Sequence, residues 1–326
     1  MNAARRAEQG DIGSGFKSLR VWVVSDGRPA NENQCLGLAE ALGIVPEVVR
    51  LDARRGWHRL LDPVRPAAGF GLEGPPWPDL LIAAGRQSVF PALAVKRASG
   101  RRTRLVQIFR PGVNPRRFDL IVTPRHDGLI GPNVFATRGA LNLVTPARLA
   151  AAAAEWGPRL ADLPRPRAAV LIGGSSKSVA VPAGALTRLA VQLAELARAG
   201  TGLMVTTSRR TPPDEVAALR AALDGLPAWI WDGEGPNPYF GFLALADAVI
   251  VTIDSVNMTS EAATTGKPVL VVPWAELAPK HRRFQDALAA EGVTRPFAGR
   301  LEQWSYPPLD DTAQAAARVR ALFETA

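Results

Sequence analysis

Cysteine is almost missing from this 326-residue chain, with Cys35 its only instance. No disulfide within the chain and no cysteine-based metal site can form, which fits a reducing compartment. Histidine is scarce as well. His58, His126 and His281 are dispersed along the sequence, so no metal site is expected. Arg125-His126-Asp127 follows an apolar run, but a neighbouring His and Asp usually hydrogen-bond only locally. Nor does any stretch approach the ~18 apolar residues of a membrane span. The run at 149–154 is too short, and Arg148 and Glu155 flank it. Residues 1–17 are polar, of mixed charge and without an apolar centre, so they do not read as a secretory signal. A cytoplasmic chain is expected, peripheral to a membrane at most.

Other absences narrow the chemistry. There is no G-x-x-x-x-G-K-[ST] loop and no G-x-G-x-x-G fingerprint. Zinc-finger spacing and RNP-like patterns are missing too, and the arginine clusters lack interleaved aromatics, so nucleic acid is not expected as a partner. Lysine occurs only at Lys17, Lys96, Lys177, Lys267 and Lys280, so arginine carries most of the net charge of +9. Such a balance attracts anions, including phosphorylated metabolites and anionic lipid surfaces. It is equally the mark of a solvated, arginine-rich exterior.

What is present is a regular alternation. Short β-rich runs at 19–25, 45–51, 79–84, 104–109 and 120–123 are interleaved with helical stretches after Asn31, read as an N-cap, and at 89–98. Residues 52–78 form an irregular excursion. The second half repeats the pattern at 168–172, 202–207, 228–231, 248–252 and 268–273, with helices between. This is the signature of βαβ units and parallel sheets. The Pro/Arg stretch at 162–167 marks a boundary. The expected organisation is a disordered arm at 1–18, a first α/β domain at 19–163, a second at 164–310, and a last helix at 311–326 that returns to the first domain.

Open α/β sheets bind ligands outside the carboxyl ends of their strands, so the turns leaving strands matter most. Gly173, Gly174, Ser175, Ser176 and Lys177 combine close backbone approach, hydroxyls and a cation, a fit for phosphate; an ordinary βα turn is the alternative. Ser208 and Arg209 offer a hydroxyl and a phosphate fork, or simply a solvated loop. Asp254, Ser255, Asn257, Ser260 and Glu261 are the richest group. Ser255 or Asn257 caps a helix whose first amides would face an anion. Glu261 either accepts two ribose hydroxyls or serves the helix end. In the first half, the turns at 26–34 and 85–88 also follow strands, and ordinary turn and capping roles account for their polar residues.

The run Ala246-Asp247-Ala248-Val249-Ile250-Val251, with Asp254-Ser255, Ser260-Glu261-Ala262-Ala263 and Gly266-Lys267-Pro268-Val269, resembles the donor-site region of GT-B glycosyltransferases. The lipid-linked N-acetylglucosaminyltransferase of cell-wall synthesis is similar in layout. Together with Val23-Val24-Ser25-Asp26-Gly27-Arg28-Pro29, the stretch from Glu32 to Leu42, Gly173-Gly174-Ser175 and Asn237-Pro238-Tyr239, the chain resembles the mitochondrial-fission (elongated mitochondria) family from about residue 20 to about 325. That resemblance implies an α/β fold of two Rossmann-like, parallel-sheet domains facing a cleft, GT-B-like, with a nucleotide-sugar held as substrate in the second (164–310). It makes the first (19–163) the acceptor side, lined by Arg28, Asn33, Gln34, Arg86 and Gln87, with Asp26 and Glu32 as candidate bases, against turn and capping roles. It needs no metal or resident cofactor, because cations and helix ends can neutralise a leaving diphosphate. The functions implied are a glycosyltransferase-like activity on an unknown acceptor, a non-catalytic scaffold that reaches a membrane surface or partner, or a nucleotide-sugar epimerase. The oligomeric state is left open.

Overall fold

The computed structural model describes residues 16, 18–51, 62–176 and 179–324. Lys177, Trp57, His58 and all but Phe16 and Ser18 of the expected arm lie outside the described residues. The chain divides into two compact units, residues 1–143 with 310–326, and residues 144–309.

The first unit is one parallel sheet with helices packed on it. Its strands are β1 (Val21–Ser25), β2 (Glu47–Arg50), β3 (Leu80–Ala84), β4 (Arg104–Ile108), β5 (Leu120–Pro124) and β6 (Val134–Thr137), in spatial order β2-β1-β3-β4-β5-β6. Every residue of β1, β3 and β5 is buried, as a parallel sheet covered on both faces requires. That is why these strands read as unbroken apolar runs and not as alternations. The short β6 was missed because only Val134 and Phe135 carry the strand pattern.

Helix α1 (Pro29–Leu42) begins three residues earlier than expected, with Pro29 at its first position. Proline's fixed φ suits that place, and its missing N–H costs nothing there. Asn31 does not cap the helix; its side-chain amide donates to Asp26 Oδ2 at 3.0 Å. Helix α2 (Val89–Ala98) covers the other face.

The second unit contains α3 (Pro146–Trp156), β7 (Arg167–Ile172), β8 (Val179–Ala180), α4 (Ala185–Arg198), β9 (Gly202–Thr207), α5 (Pro213–Leu223), β10 (Ala228–Ile230), α6 (Tyr239–Leu245), β11 (Ala248–Thr252), α7 (Val256–Thr264), β12 (Val269–Val272), β13 (Glu276–Leu277), α8 (Pro279–Ala290) and β14 (Thr294–Pro296). Its parallel sheet runs β10-β9-β7-β11-β12-β14. Counted within the unit this is the 3-2-1-4-5-6 order of dinucleotide-binding folds, with the switch point between β7 and β11. The two-residue strands β8 and β13 pair antiparallel beside it.

The division falls at 143/144, not at the Pro/Arg stretch near 163. The reason is Trp156 on α3. Its ring lies edge-on to Trp229 at 6.0 Å, and Arg159 stacks over it at 4.6 Å. A Cβ added at Gly241 on α6 would stand 2.5 Å from Trp156 Cγ. Only glycine lets α6 approach that closely. Gly241→Ala is therefore expected to lower stability by about 2–3 kcal/mol through overpacking, read as an earlier urea midpoint at unchanged slope.

The last helix, α9 (Asp311–Glu324), belongs to the first unit. The Asp311 carboxylate accepts from the backbone N–H groups of Arg138 and Gly139, both at 2.9 Å. Ala315, Ala316 and Val319 join Leu38 and Ala39 in the core. Phe16 is part of the same core and meets Phe323 edge-on at 5.2 Å, so the expected arm ends before it. No described helix is long and apolar enough to cross a membrane.

Candidate functional site

The carboxyl edge of the second sheet gathers the turns that leave its strands. Asp254, just after β11, is the joint between them. Its side chain is fully buried. Oδ2 accepts from the Gly174 N–H at 3.0 Å, and Oδ1 accepts from the Trp274 indole N–H at 3.0 Å. The Arg210 guanidinium lies 3.6 Å from Oδ2. The hydroxyl of Thr252, at the end of β11, accepts from the Gly173 N–H at 2.8 Å. Thr211 closes the third turn by donating its hydroxyl to the Gly173 carbonyl at 2.7 Å. The turns after β7, β9 and β11 are thus tied together at the switch point.

This geometry changes the expected role of the two glycines. Their amides are taken by Thr252 and Asp254 and do not face a phosphate. Their lack of a side chain serves packing instead: a Cβ at Gly173 would fall 2.0 Å from Asp254 Oδ2, and one at Gly174 would fall 2.5 Å from the Arg210 carbonyl. Asp254 is likewise a latch for the turns and not a ligand group. Of the two arginines after β9, Arg210 reaches the cluster, whereas Arg209 is exposed and makes no contact with the described residues. The Ser208 hydroxyl accepts from the Arg210 N–H at 3.2 Å. Ser175 Oγ accepts from Val181 N–H at 3.1 Å, and Ser176 pairs through its backbone with Val179.

Ser255 caps α7, its Oγ accepting from Met258 N–H at 3.2 Å. Asn257 lies inside the helix and does not cap it. Ser260 is buried and donates to the Val256 carbonyl at 2.7 Å, so it serves the helix itself. Glu261 sits six residues beyond the cap, about 9 Å along the axis at ~1.5 Å per residue. Its Oε2 accepts a hydrogen bond from the Tyr239 hydroxyl, while Oε1 takes none from the described residues. Burial pushes the Glu261 carboxyl up to about 7, against the pull of the Tyr239 hydrogen bond. The same contact and burial raise the Tyr239 phenol well above its ordinary range.

Tyr239, Thr252 and Trp274 do not stand out in the sequence as site residues. Thr252 carried a usable signal as a hydroxyl ending a buried apolar strand. Tyr239 is one of only two tyrosines. Nothing in the sequence pointed Trp274 at Asp254.

In the first unit the turns after β1 and β3 also meet at a switch point. Asp26, its side chain fully buried, accepts from Arg28 N–H at 3.1 Å and from Asn31; Arg28 Nε stands 3.8 Å away on a side chain 68% exposed. A Cβ at Gly85 would lie 2.8 Å from Asn31 Nδ2. Arg86 and Asn33 are exposed and Gln87 is half-buried. Gln34 is buried, its amide donating to the Ala30 carbonyl at 3.3 Å, so it lines the core and not an acceptor surface. Glu32 is gripped by both arms of Arg50, at 2.6 and 3.2 Å. That fork holds its carboxyl below the ordinary value, a poor state for a proton acceptor at neutral pH. Glu32 is thus a partner of Arg50, which corrects the expected base. Among the described residues no group of three or more His, Cys, Asp or Glu could hold a metal.

A family model described as Mitochondrial fission ELM1 matches residues 29–323. The Mitochondrial fission protein ELM1 of Arabidopsis thaliana is 31% identical over 96% of this chain and 92% of its own length. Among solved structures, the UDP-GlcNAc 2-epimerase of Methanocaldococcus jannaschii superposes with a TM-score of 0.58 at 10% identity, covering 94% of this chain and 99% of that one. The same enzyme in complex with UDP-GlcNAc and UDP gives 0.52 at 10% identity over the same shares. The spinosyn forosaminyltransferase SpnP gives 0.51 at 16% identity, covering 94% and 95%. At these identities the structural likenesses speak to the fold, which is GT-B-like.

Proposed function

We propose that this chain, which belongs to the Mitochondrial fission ELM1 family, binds a nucleoside diphosphate sugar in its second unit. The observation that carries the reading is the joining of the turns after β7 and β11 by Asp254 at the 3-2-1-4-5-6 switch point. The head of α7 opens there, and a helix start attracts a diphosphate through its amides and dipole. Farther along the same helix, Glu261 Oε1 has no partner among the described residues and is an acceptor for ribose hydroxyls. Tyr239 keeps the carboxylate turned and its other oxygen satisfied. The M. jannaschii enzyme of the same fold has been solved with UDP-GlcNAc and UDP, which supports the ligand class.

Calorimetric titration of the full chain with UDP, GDP and their sugar conjugates tests this. Saturable binding to at least one is expected, and no heat with any of them at millimolar concentration would sink the proposal.

Transfer of the sugar is a separate step. Both carboxylates of the first-unit turn are already engaged, Glu32 by Arg50 and Asp26 by Asn31 and Arg28. This favours binding without group transfer, as in a scaffold protein. Release of free UDP from a bound UDP-sugar, in the presence of a cell extract as acceptor source, would decide for the transferase.

A further inference from the structure

We propose that the first unit carries a second anion site, at the amino edge of its sheet, for a ligand bearing two or more phosphate groups. The site is a cavity of about 400 Å³, within the usual range for small-ligand pockets. Lys96, Arg97, Arg101, Arg116 and Arg117 line it, with Asp119 and Leu93. The cations come from two places. Lys96 and Arg97 lie in the last turn of α2, and Arg101 follows it. Arg116 and Arg117 form a short 3-10 turn fixed by Asn114, whose side chain accepts from Arg116 N–H at 3.0 Å. Both segments precede strands, Arg101 before β4 and Arg117 before β5. In a parallel sheet that is the edge opposite the turns after β1 and β3.

The described residues do not neutralise the charge in this cavity. Asp119 is the only carboxylate in the lining. It is already committed to Lys96 at 2.5 Å, to the Leu105 N–H at 2.6 Å, and to Arg104 at 3.7 Å. Arg97 donates to the Arg65 carbonyl, which cancels no charge. The side chains of Arg101, Arg116 and Arg117 have no hydrogen-bond or ion-pair partner among the described residues. Three free guanidiniums around one hollow repel each other unless an anion fills it. Guanidinium forks match phosphate oxygens in geometry as well as charge.

Arg101 adds a second, independent sign. It has φ of 65°, one of two non-glycine residues with positive φ among those described. That left-handed backbone is strained for a side chain and free for glycine, and Gly100 stands beside it. A cation is held where glycine would be more stable, directly at the cavity wall.

Two probes distinguish where the phosphates come from. Pyrophosphate represents a soluble ligand; phosphatidylcholine vesicles with and without cardiolipin, a lipid with two phosphates, represent a membrane one. Pyrophosphate is titrated alone, because a nucleoside diphosphate would compete for this cavity, and the cavity and control variants separate its binding here from binding in the second unit. Wild type is expected to bind one of the two probes, with affinity falling as salt rises. Arg116→Ser/Arg117→Ser should weaken that binding about tenfold or more. Arg188→Ser/Arg198→Ser, equal in charge but outside the cavity, should leave it unchanged. Arg101→Gly should weaken binding while the melting temperature stays the same or rises, an outcome that misfolding cannot imitate. Binding of neither probe, or equal loss in the cavity and control variants, overturns the site.

Discussion

Asp254→Ala is expected to cost about 3–4 kcal/mol of stability and to abolish nucleotide binding. The side chain is fully buried, and its removal leaves the Gly174 N–H and the Trp274 indole N–H without acceptors. Each buried, orphaned donor costs about 1–3 kcal/mol. Arg210 adds little, because it is half exposed and turns to water. Asp254→Asn keeps one acceptor oxygen and should cost about half as much. A double-mutant cycle isolates the role of Gly173. Its Cβ would meet the Asp254 carboxylate at 2.0 Å, so Gly173→Ala is severe in the wild type and milder once Asp254 is alanine. A coupling of about 1–3 kcal/mol in urea unfolding is expected. Simple additivity would mean that the two turns are not pressed together as described.

Glu261→Gln carries the second large effect, and its sign depends on what is measured. The folded carboxyl titrates at about 7, above its ordinary value near 4.5. The native state therefore holds its proton more tightly than the unfolded chain does. Stability contributed by that proton is complete below the ordinary value and is lost as pH rises through about 7. The loss amounts to about 3 kcal/mol. Glu261→Gln removes this slope, so near pH 8 the variant should be more stable than the parent. Ligand binding responds in the opposite sense. Ribose hydroxyls donate, so they need the carboxylate, and affinity for a UDP-sugar should fall about tenfold between pH 8 and pH 6. The sugar conjugate is the right probe because its diphosphate does not titrate there. The glutamine variant should bind about 1.5–3 kcal/mol more weakly, with a flat profile. Tyr239→Phe removes the hydrogen bond that pulls the carboxyl down, so its midpoint should move above that of the parent.

The fold was legible because its signal is local. Fully buried strands such as VWVVS in β1 and AVIVT in β11 declare themselves as short apolar runs closed by polar turns. Ser255 or Asn257 reads as a cap from its place before a helix, and of the two Ser255 caps. The unit boundary was not legible, since it depends on Trp156 finding Gly241 far along the chain. The candidate site was legible as a set of turns but not as a set of roles. Gly173-Gly174 reads as a phosphate loop, yet the atoms that occupy those amides belong to Thr252 and Asp254, many residues away. Glu32 reads as a free carboxylate until Arg50 on β2 closes on it. Sequence spacing shows which residues share a turn; which turn presses against which is fixed only by strand order.

Hydrogen exchange of the full chain with and without saturating UDP or GDP tests the central claim most directly. The account predicts that nucleotide slows exchange at residues 173–176 and 254–261. Saturation that protects some other surface, with those two segments exchanging as in the free chain, would contradict it.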